Sequence, residues 1–173
     1  MDIAILGIKY CADTEKLIKE NFSDISVCTF DLSVGECPTQ DFNIYIITDR
    51  LFDGVKLEPD LFLHTIENFM KNIKPDDITI INIDDDDLIK HLMGLKCNII
   101  TYGYNLKSSV TISGFEEDIL AGNSEYVCSL QRSIKTLDNK SLEPCEIKIK
   151  VSDKYSSQSI IAYAAFRLAA NRV

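Results

Sequence analysis

At 173 residues, with 46% hydrophobic and 9% aromatic side chains, the chain can bury one substantial core and is too apolar to be disordered. A formal net charge of -9 excludes nucleic acid as the expected partner, because binding a phosphate backbone calls for clustered Lys and Arg. No apolar run approaches the roughly 20 residues that a membrane span needs, so no membrane partner is expected.

The opening stretch, "MDIAILGIKYC", lacks a basic flank and a small-residue cleavage site, and reads as a first strand rather than a signal peptide. From there, strand-like and helix-like segments alternate. "DIAILG" (2–7), "DISVCTF" (24–30), "NIYIIT" (43–48), "ITIINI" (78–83) and "CNIITYG" (97–103) are short β-branched runs, apolar on nearly every residue. That pattern suits strands covered on both faces, as in a parallel sheet. Between them, 13–22 reads as a first helix. In "PDLFLHTIENFMKNI", Phe62, Ile66, Phe69, Met70 and Ile73 form one stripe, Pro59 suits the first turn and Pro75 follows the end.

Beyond Gly103 the texture changes. "SSVTISGFEED", "SEYVCSLQRSIKTL" and "CEIKIKV" alternate apolar and polar residues and are punctuated by "AGN" and "LDNKS", which reads as antiparallel strands with one solvated face. The end is a helix, "SSQSIIAYAAFRLAAN", with Ile161, Ala165 and Leu168 on one face. The expected fold is a single α/β domain over 1–173: three layers, a mostly parallel sheet flanked by helices, and a late antiparallel β-meander. A flavodoxin- or receiver-like module would keep alternating strand and helix past Gly103, which this sequence does not.

Six cysteines, Cys11, Cys28, Cys37, Cys97, Cys128 and Cys145, are scattered without a C-x-x-C pair. In a domain of this size they read as reduced thiols, and the expected location is cytoplasmic. His64 and His91 fall on helix-like segments and are not expected to be ligands. No Ser/His/Asp or Cys/His arrangement suggests catalysis.

The most conspicuous feature is "IINIDDDDLIKHL", where a strand runs into Asp84, Asp85, Asp86 and Asp87. Three readings compete. The simplest is a helix start, in which carboxylates of the first turn accept bonds from free backbone N–H groups and oppose the macrodipole; Leu88, Ile89, Leu92 and Met93 then mark the helix and Gly94 closes it. A divalent-cation site is a second, although the spacing of a calcium loop is missing. The rim of a nucleotide pocket is a third, since open parallel sheets bind ligands beyond the carboxyl ends of their strands.

"NIDDDDL" followed by "CNIITYGYN" resembles the central, ATP-binding domain of the Mur ligase family, which includes folylpolyglutamate and cyanophycin synthetases. Asn82, Asp84 and Asp85 match that family's Asn-x-Asp-Asp. Thr101, Tyr102 and Gly103 match its Thr-Tyr/Phe-Gly, and Tyr163 to Ala165 match the tail of its last helix. Upstream, "TDRLFDG" resembles its Thr-Asn-x-x-x-Asp-His, with Thr48 and Asp53 kept. The resemblance implies nucleotide positions at Gly7, Asp13, Thr14, Thr48, Asp53, Asn82, Asp84 and Asp85.

The family's chemistry, ATP-dependent acyl phosphate formation followed by attack of an amine, needs a glycine-rich phosphate cradle with a Lys, Mg²⁺ and a grip on adenine. Here the cradle is "GIKYCADTEKL". In the ordinary G-x-x-x-x-G-K-[ST] register, Ala12 replaces the second Gly and Asp13 the Lys, with Thr14 surviving. In the family's longer register, Tyr10 and Asp13 replace glycines, Thr14 falls at the Lys and Glu15 at the hydroxyl residue. Lys9 and Lys16 are the cations that could approach from elsewhere in the loop. An Asp beside a phosphate repels where a Lys attracts, and at about 4 Å with an effective dielectric near 20 each interaction is about 4 kcal/mol before screening. The metal-associated His becomes Gly54, the Asn of the same motif becomes Asp49, and Ser157, Gln158 and Ile161 stand at the family's His and two Asn positions. Lys71 is off the spacing of the family's carbamylated Lys.

The expectation is therefore a stand-alone, catalytically inactive Mur-ligase-like central domain, without the family's flanking domains, that serves protein interaction or ligand binding. No catalytic residue, metal ligand or resident cofactor is expected, and the expected partner is another protein or a second copy. The alternative is an ATP- and Mg²⁺-binding component of an amide-forming ligase of peptidoglycan or polyglutamate type, completed by a partner chain.

Overall fold

The computed structural model describes residues 1–7, 12–36, 38–48, 59–84, 86–92, 94–118, 122–152 and 155–172. Its elements, in order, are β1 (Asp2–Gly7), α1 (Ala12–Asn21), β2 (Ser26–Asp31), a 3₁₀ turn (Leu32–Val34), β3 (Ile44–Ile47), α2 (Pro59–Met70), β4 (Ile78–Asn82), α3 (Asp86–Leu92), β5 (Asn98–Tyr102), β6 (Val110–Asp118), β7 (Asn123–Leu130), β8 (Ile134–Lys135), β9 (Ser141–Leu142), β10 (Glu146–Val151) and α4 (Ser157–Ala169). Eight strands form one sheet in the order β10-β7-β6-β5-β4-β3-β1-β2, and β8 pairs with β9 in a separate small ladder.

The β-branched runs are the parallel half. β1 lies between β2 and β3, and β3, β4 and β5 follow in register. Alternation along each strand divides the core into two layers, as side chains of a strand point to opposite faces. Ile3, Ile5, Ile44, Ile46, Ile78 and Ile80 face one cluster, built against α1 and α4. Ala4, Leu6, Tyr45, Ile47 and Ile81 face the other, which Phe69 of α2 and Leu92 of α3 complete. This is the three-layer α/β arrangement that the sequence implies. The last helix sits on the first of these faces; its Ala162, Ala164, Ala165 and Ala169 are buried, and such small side chains let the helix lie close to the strands.

The meander grows from the same sheet. β6 meets β5 in parallel through one pair, Tyr102 with Val110, then runs antiparallel to β7 with a bulge between Ile112 and Gly114, and β10 closes that edge against β7. The run 124–137 is not one strand. It breaks after Leu130, and Ile134–Lys135 leaves the large sheet to pair with Ser141–Leu142. The cause is local: the Thr136 backbone N–H donates to Lys140 O at 2.9 Å and its Oγ1 accepts from the Lys140 N–H at 3.2 Å, closing a tight turn before the ladder can lengthen.

Candidate functional site

The carboxyl ends of β1, β3, β4 and β5 converge on one rim, where the residues singled out by motif lie. Gly7 closes β1 opposite Asp31. Residues 8–11, together with Asp53 and Asp85, lie outside the described residues, as does Lys9. Thr48 follows β3 and is held there by Leu6, whose carbonyl accepts from the Thr48 backbone N–H at 2.9 Å and from its hydroxyl at 3.2 Å. Tyr102, buried at the end of β5, donates its hydroxyl to Ile47 O at 3.4 Å and so ties β5 to β3 across β4.

Asn82 ends β4 and is fully buried. Its Oδ1 accepts from the Asp84 backbone N–H at 2.9 Å, an Asx turn that redirects the chain out of the sheet. Its Nδ2 is buried with no hydrogen-bond partner among the described residues. Leaving such a donor unmade costs about 1–3 kcal/mol, so its position at a sheet terminus is notable.

Asp84 departs from the helix-start expectation. α3 begins only at Asp86, and the Asp84 carboxylate turns the other way. Its Oδ2 accepts from Tyr104 N–H and its Oδ1 from Asn105 N–H, both at 2.9 Å, so it clamps the loop that follows β5. Gly103 makes this geometry available, with φ at +143° and no Cβ to meet the carboxylate. The loop is further fastened by Ser108 Oγ to Gly103 O at 3.2 Å and by Ser109 N–H to Thr101 Oγ1 at 2.8 Å. Sequence reasoning passed over Asn105, Ser108 and Ser109; the clustering of Asn and Ser after "TYG" was the available signal.

Across the rim, Asp13 stands half-buried in the first turn of α1 and Thr14 beside it is buried. The Asp13 carboxylate accepts from the Ser156 backbone N–H at 3.3 Å, joining the start of α1 to the start of α4. Ser156 itself caps α4, its Oγ accepting from Ser159 N–H at 3.1 Å. Tyr155 reinforces the junction with its hydroxyl on Glu20 at 3.0 Å and the Lys16 ammonium 5.3 Å over its ring. Lys16 therefore faces a tyrosine and Glu20, at 3.7 Å, rather than an open cradle. Ile161 is fully buried in the core, and the exposed His64 meets Asn68 at 3.0 Å. Lys71 donates to the same Asn68 at 3.2 Å, on the surface of the turn after α2.

The structure thus brings Gly7, Asp13, Thr14, Thr48, Asn82 and Asp84 to the ends of adjacent elements, but both described carboxylates of this set are turned to internal tasks. Asp84 and Asp13 hold backbone amides. No group of three or more metal-ligating side chains occurs among the described residues.

No family model matches the sequence, and no curated protein matches it. Solved structures do. MurF from Acinetobacter baumannii superposes with a TM-score of 0.66 at 12% identity, over 98% of this chain and 43% of that one. MurF from Thermotoga maritima, in complex with ADP, gives 0.58 at 12%, over 99% and 45%. An FPGS–AMPPCP–folate complex gives 0.56 at 8%, over 99% and 58%. The chain spans less than half the length of these MurF structures. At such identities the likeness establishes the fold: this chain has the α/β fold of the Mur ligase middle domain.

Proposed function

We propose that this chain is a Mur-ligase-like central domain that has lost catalysis and acts through binding or protein interaction. The observation that carries the reading is Asp13. An anionic side chain sits in the first turn of α1, where the likeness to nucleotide-bound relatives would set the phosphates, and it is engaged with the start of α4. A phosphate approaching that turn meets repulsion where the family supplies a Lys. Asp84, the other acid of the rim, already spends both oxygens on the 104–105 amides.

An interaction role has its own support. The loop that Asp84 clamps and the adjoining hairpin expose Tyr104, Leu106 and Phe115, with Leu106 86% accessible. Large apolar side chains left exposed on this loop and hairpin suit contact with another protein or a second copy. Cys28, Cys97, Cys128 and Cys145 are free thiols, which fits a cytoplasmic setting, and no helix among the described residues is long and apolar enough to cross a membrane.

One observation favours the alternative of an ATP-binding ligase component completed by a partner chain, of peptidoglycan or polyglutamate type. The unpartnered Nδ2 of Asn82 is a donor that a bound ligand could satisfy after a small rearrangement. Titrating the protein with ATP and Mg²⁺, read by calorimetry and by thermal shift, separates the two. Binding at 100 times the dissociation constant would stabilise the fold by about 2.7 kcal/mol. The non-catalytic reading expects no heat and no shift at millimolar nucleotide; a saturable response overturns it.

A further inference from the structure

Away from the strand-end rim, the last turn of α1, the second half of α4 and the outer strand β10 enclose an open concavity of about 250 Å³. Its lining includes Leu17 and Asn21 of α1, Ile149 and Lys150 of β10, and Tyr163 and Arg167 of α4. Among the described residues no carboxylate lines it, in a chain whose net charge is -9.

Three features give the hollow a chemistry. Arg167 donates through Nε to Arg172 O at 2.9 Å and through Nη1 to Lys148 O at 3.5 Å. Both acceptors are neutral carbonyls, and among the described residues no carboxylate pairs with it. Lys148 and Lys150, by contrast, share one carboxylate, that of Glu125, at 2.5 and 3.2 Å. Tyr163 is 3% exposed and its hydroxyl has no hydrogen-bond partner among the described residues, yet it is not sealed from solvent. Among the described residues it finds no acceptor or donor, so its partner is either solvent or a ligand seated in the concavity. Finally, β10 is an outer strand. Cys145 O accepts from Leu130 N–H, so the odd-numbered residues of β10 bond to β7 and Lys148 and Lys150 turn their backbone groups to the open edge. The Lys148 carbonyl serves Arg167, and the Lys150 N–H remains as a donor.

We propose that this concavity binds a small monocarboxylate, its oxygens received by the Arg167 guanidinium and the Tyr163 hydroxyl, with the edge N–H of Lys150 as a third donor. Leu17 and Ile149 supply apolar walls for a short aliphatic body. The Arg167 guanidinium is the cation of this lining without a carboxylate partner among the described residues, and its planar fork suits the planar carboxylate. A volume of about 250 Å³ suits a small acid better than a drug-sized ligand. The assignment is independent of the nucleotide question, since none of these residues belongs to the strand-end rim.

The test is a titration of the full chain with sodium isovalerate, followed by proton–nitrogen NMR at the Arg167 Nε–H and the Lys150 amide. Saturable shifts in the millimolar range are expected, with none for the neutral isovaleramide. Tyr163→Phe should weaken binding about fivefold to tenfold, the equivalent of one hydrogen bond, with an unchanged melting temperature. Arg167→Gln should abolish it; if that variant is unfolded, the Tyr163→Phe result decides alone. A short peptide with a free carboxyl terminus, compared with its amide, identifies the source: tighter binding than isovalerate points to a protein terminus, and equal or weaker binding to a free acid. Absence of saturable shifts, shifts unchanged in Tyr163→Phe, or equal competition by inorganic phosphate would overturn the proposal.

Discussion

A Cβ on Gly103 would lie 2.6 Å from Oδ2 of Asp84. The missing side chain is what lets the carboxylate reach the amides of Tyr104 and Asn105, and the φ of +143° is one that a side chain would itself resist. Gly103→Ala should therefore destabilise the fold by about 1–3 kcal/mol through backbone strain, with displacement of the carboxylate adding to it. Urea denaturation measures this. A loss within about 0.5 kcal/mol, the range of an ordinary surface substitution, would show that the loop relaxes freely.

The reciprocal change, Asp84→Ala, removes the acceptor and keeps the glycine. A hydrogen bond to a charged group contributes about 1.5–3 kcal/mol, and the exposure of Asp84 places the expected cost near the lower end. The specific signature is hydrogen exchange: the Tyr104 and Asn105 amides should lose protection while β4 keeps its own. Unchanged exchange at both amides would mean that the clamp does not order this loop.

The parallel half was legible because consecutive β-branched residues have few alternatives to a strand covered on both faces, as Ile44–Ile47 and Ile78–Ile81 show. The helices α1 and α2 were legible from spacing and from Pro59, although α2 ends at Met70 rather than Ile73. The β8–β9 ladder was not, because two-residue strands carry no period and depend on the turn that Thr136 closes. Nor was the task of Asp84, since its partners stand some twenty residues on, and only the pairing of β4 with β5 brings them within reach. Motif likeness located the rim; it could not say which way each side chain turns.

Phe69 tests how α2 is bound to the sheet. It is fully buried and meets Tyr45 edge-on at 5.1 Å between ring centroids, in the layer shared with Leu6, Ile47 and Ile81. Phe69→Ala should cost about 3–5 kcal/mol by lost burial and residual cavity. Chemical denaturation gives the number, and a cost below about 1 kcal/mol would show that α2 is not anchored by this ring.

Cys128 is fully buried on β7, and burial pushes its thiol up to about 12, with the Arg167 charge opposing only weakly. The nucleophile in alkylation is the thiolate, so Cys128 should stay unmodified in native protein at neutral pH and react after unfolding. Iodoacetamide labelling with peptide mass mapping separates it from the half-buried Cys28 and Cys145. Labelling of Cys128 as fast as Cys145 would contradict the packing of β7 against α4.

Acid should loosen the end of the chain first. Asp138 accepts from Lys140 at 2.5 Å and from Thr136 Oγ1 at 2.5 Å, and more distantly from Asn171 at 3.4 Å, so the β8–β9 turn is moored to the residues just after α4. The Lys140 ammonium, and then the Thr136 hydroxyl, hold its carboxyl at about 2 against an ordinary 3.8. Because the folded value is the lower one, the stabilisation is complete above the ordinary value and is lost as pH falls from there through about 2. The group lies at the surface, so the effect is modest and sensitive to salt. Melting temperatures measured from neutral pH down to this window should fall more steeply for the wild type than for Asp138→Asn, which has no proton to gain. Parallel curves for the two proteins would show that this carboxylate does not moor the turn.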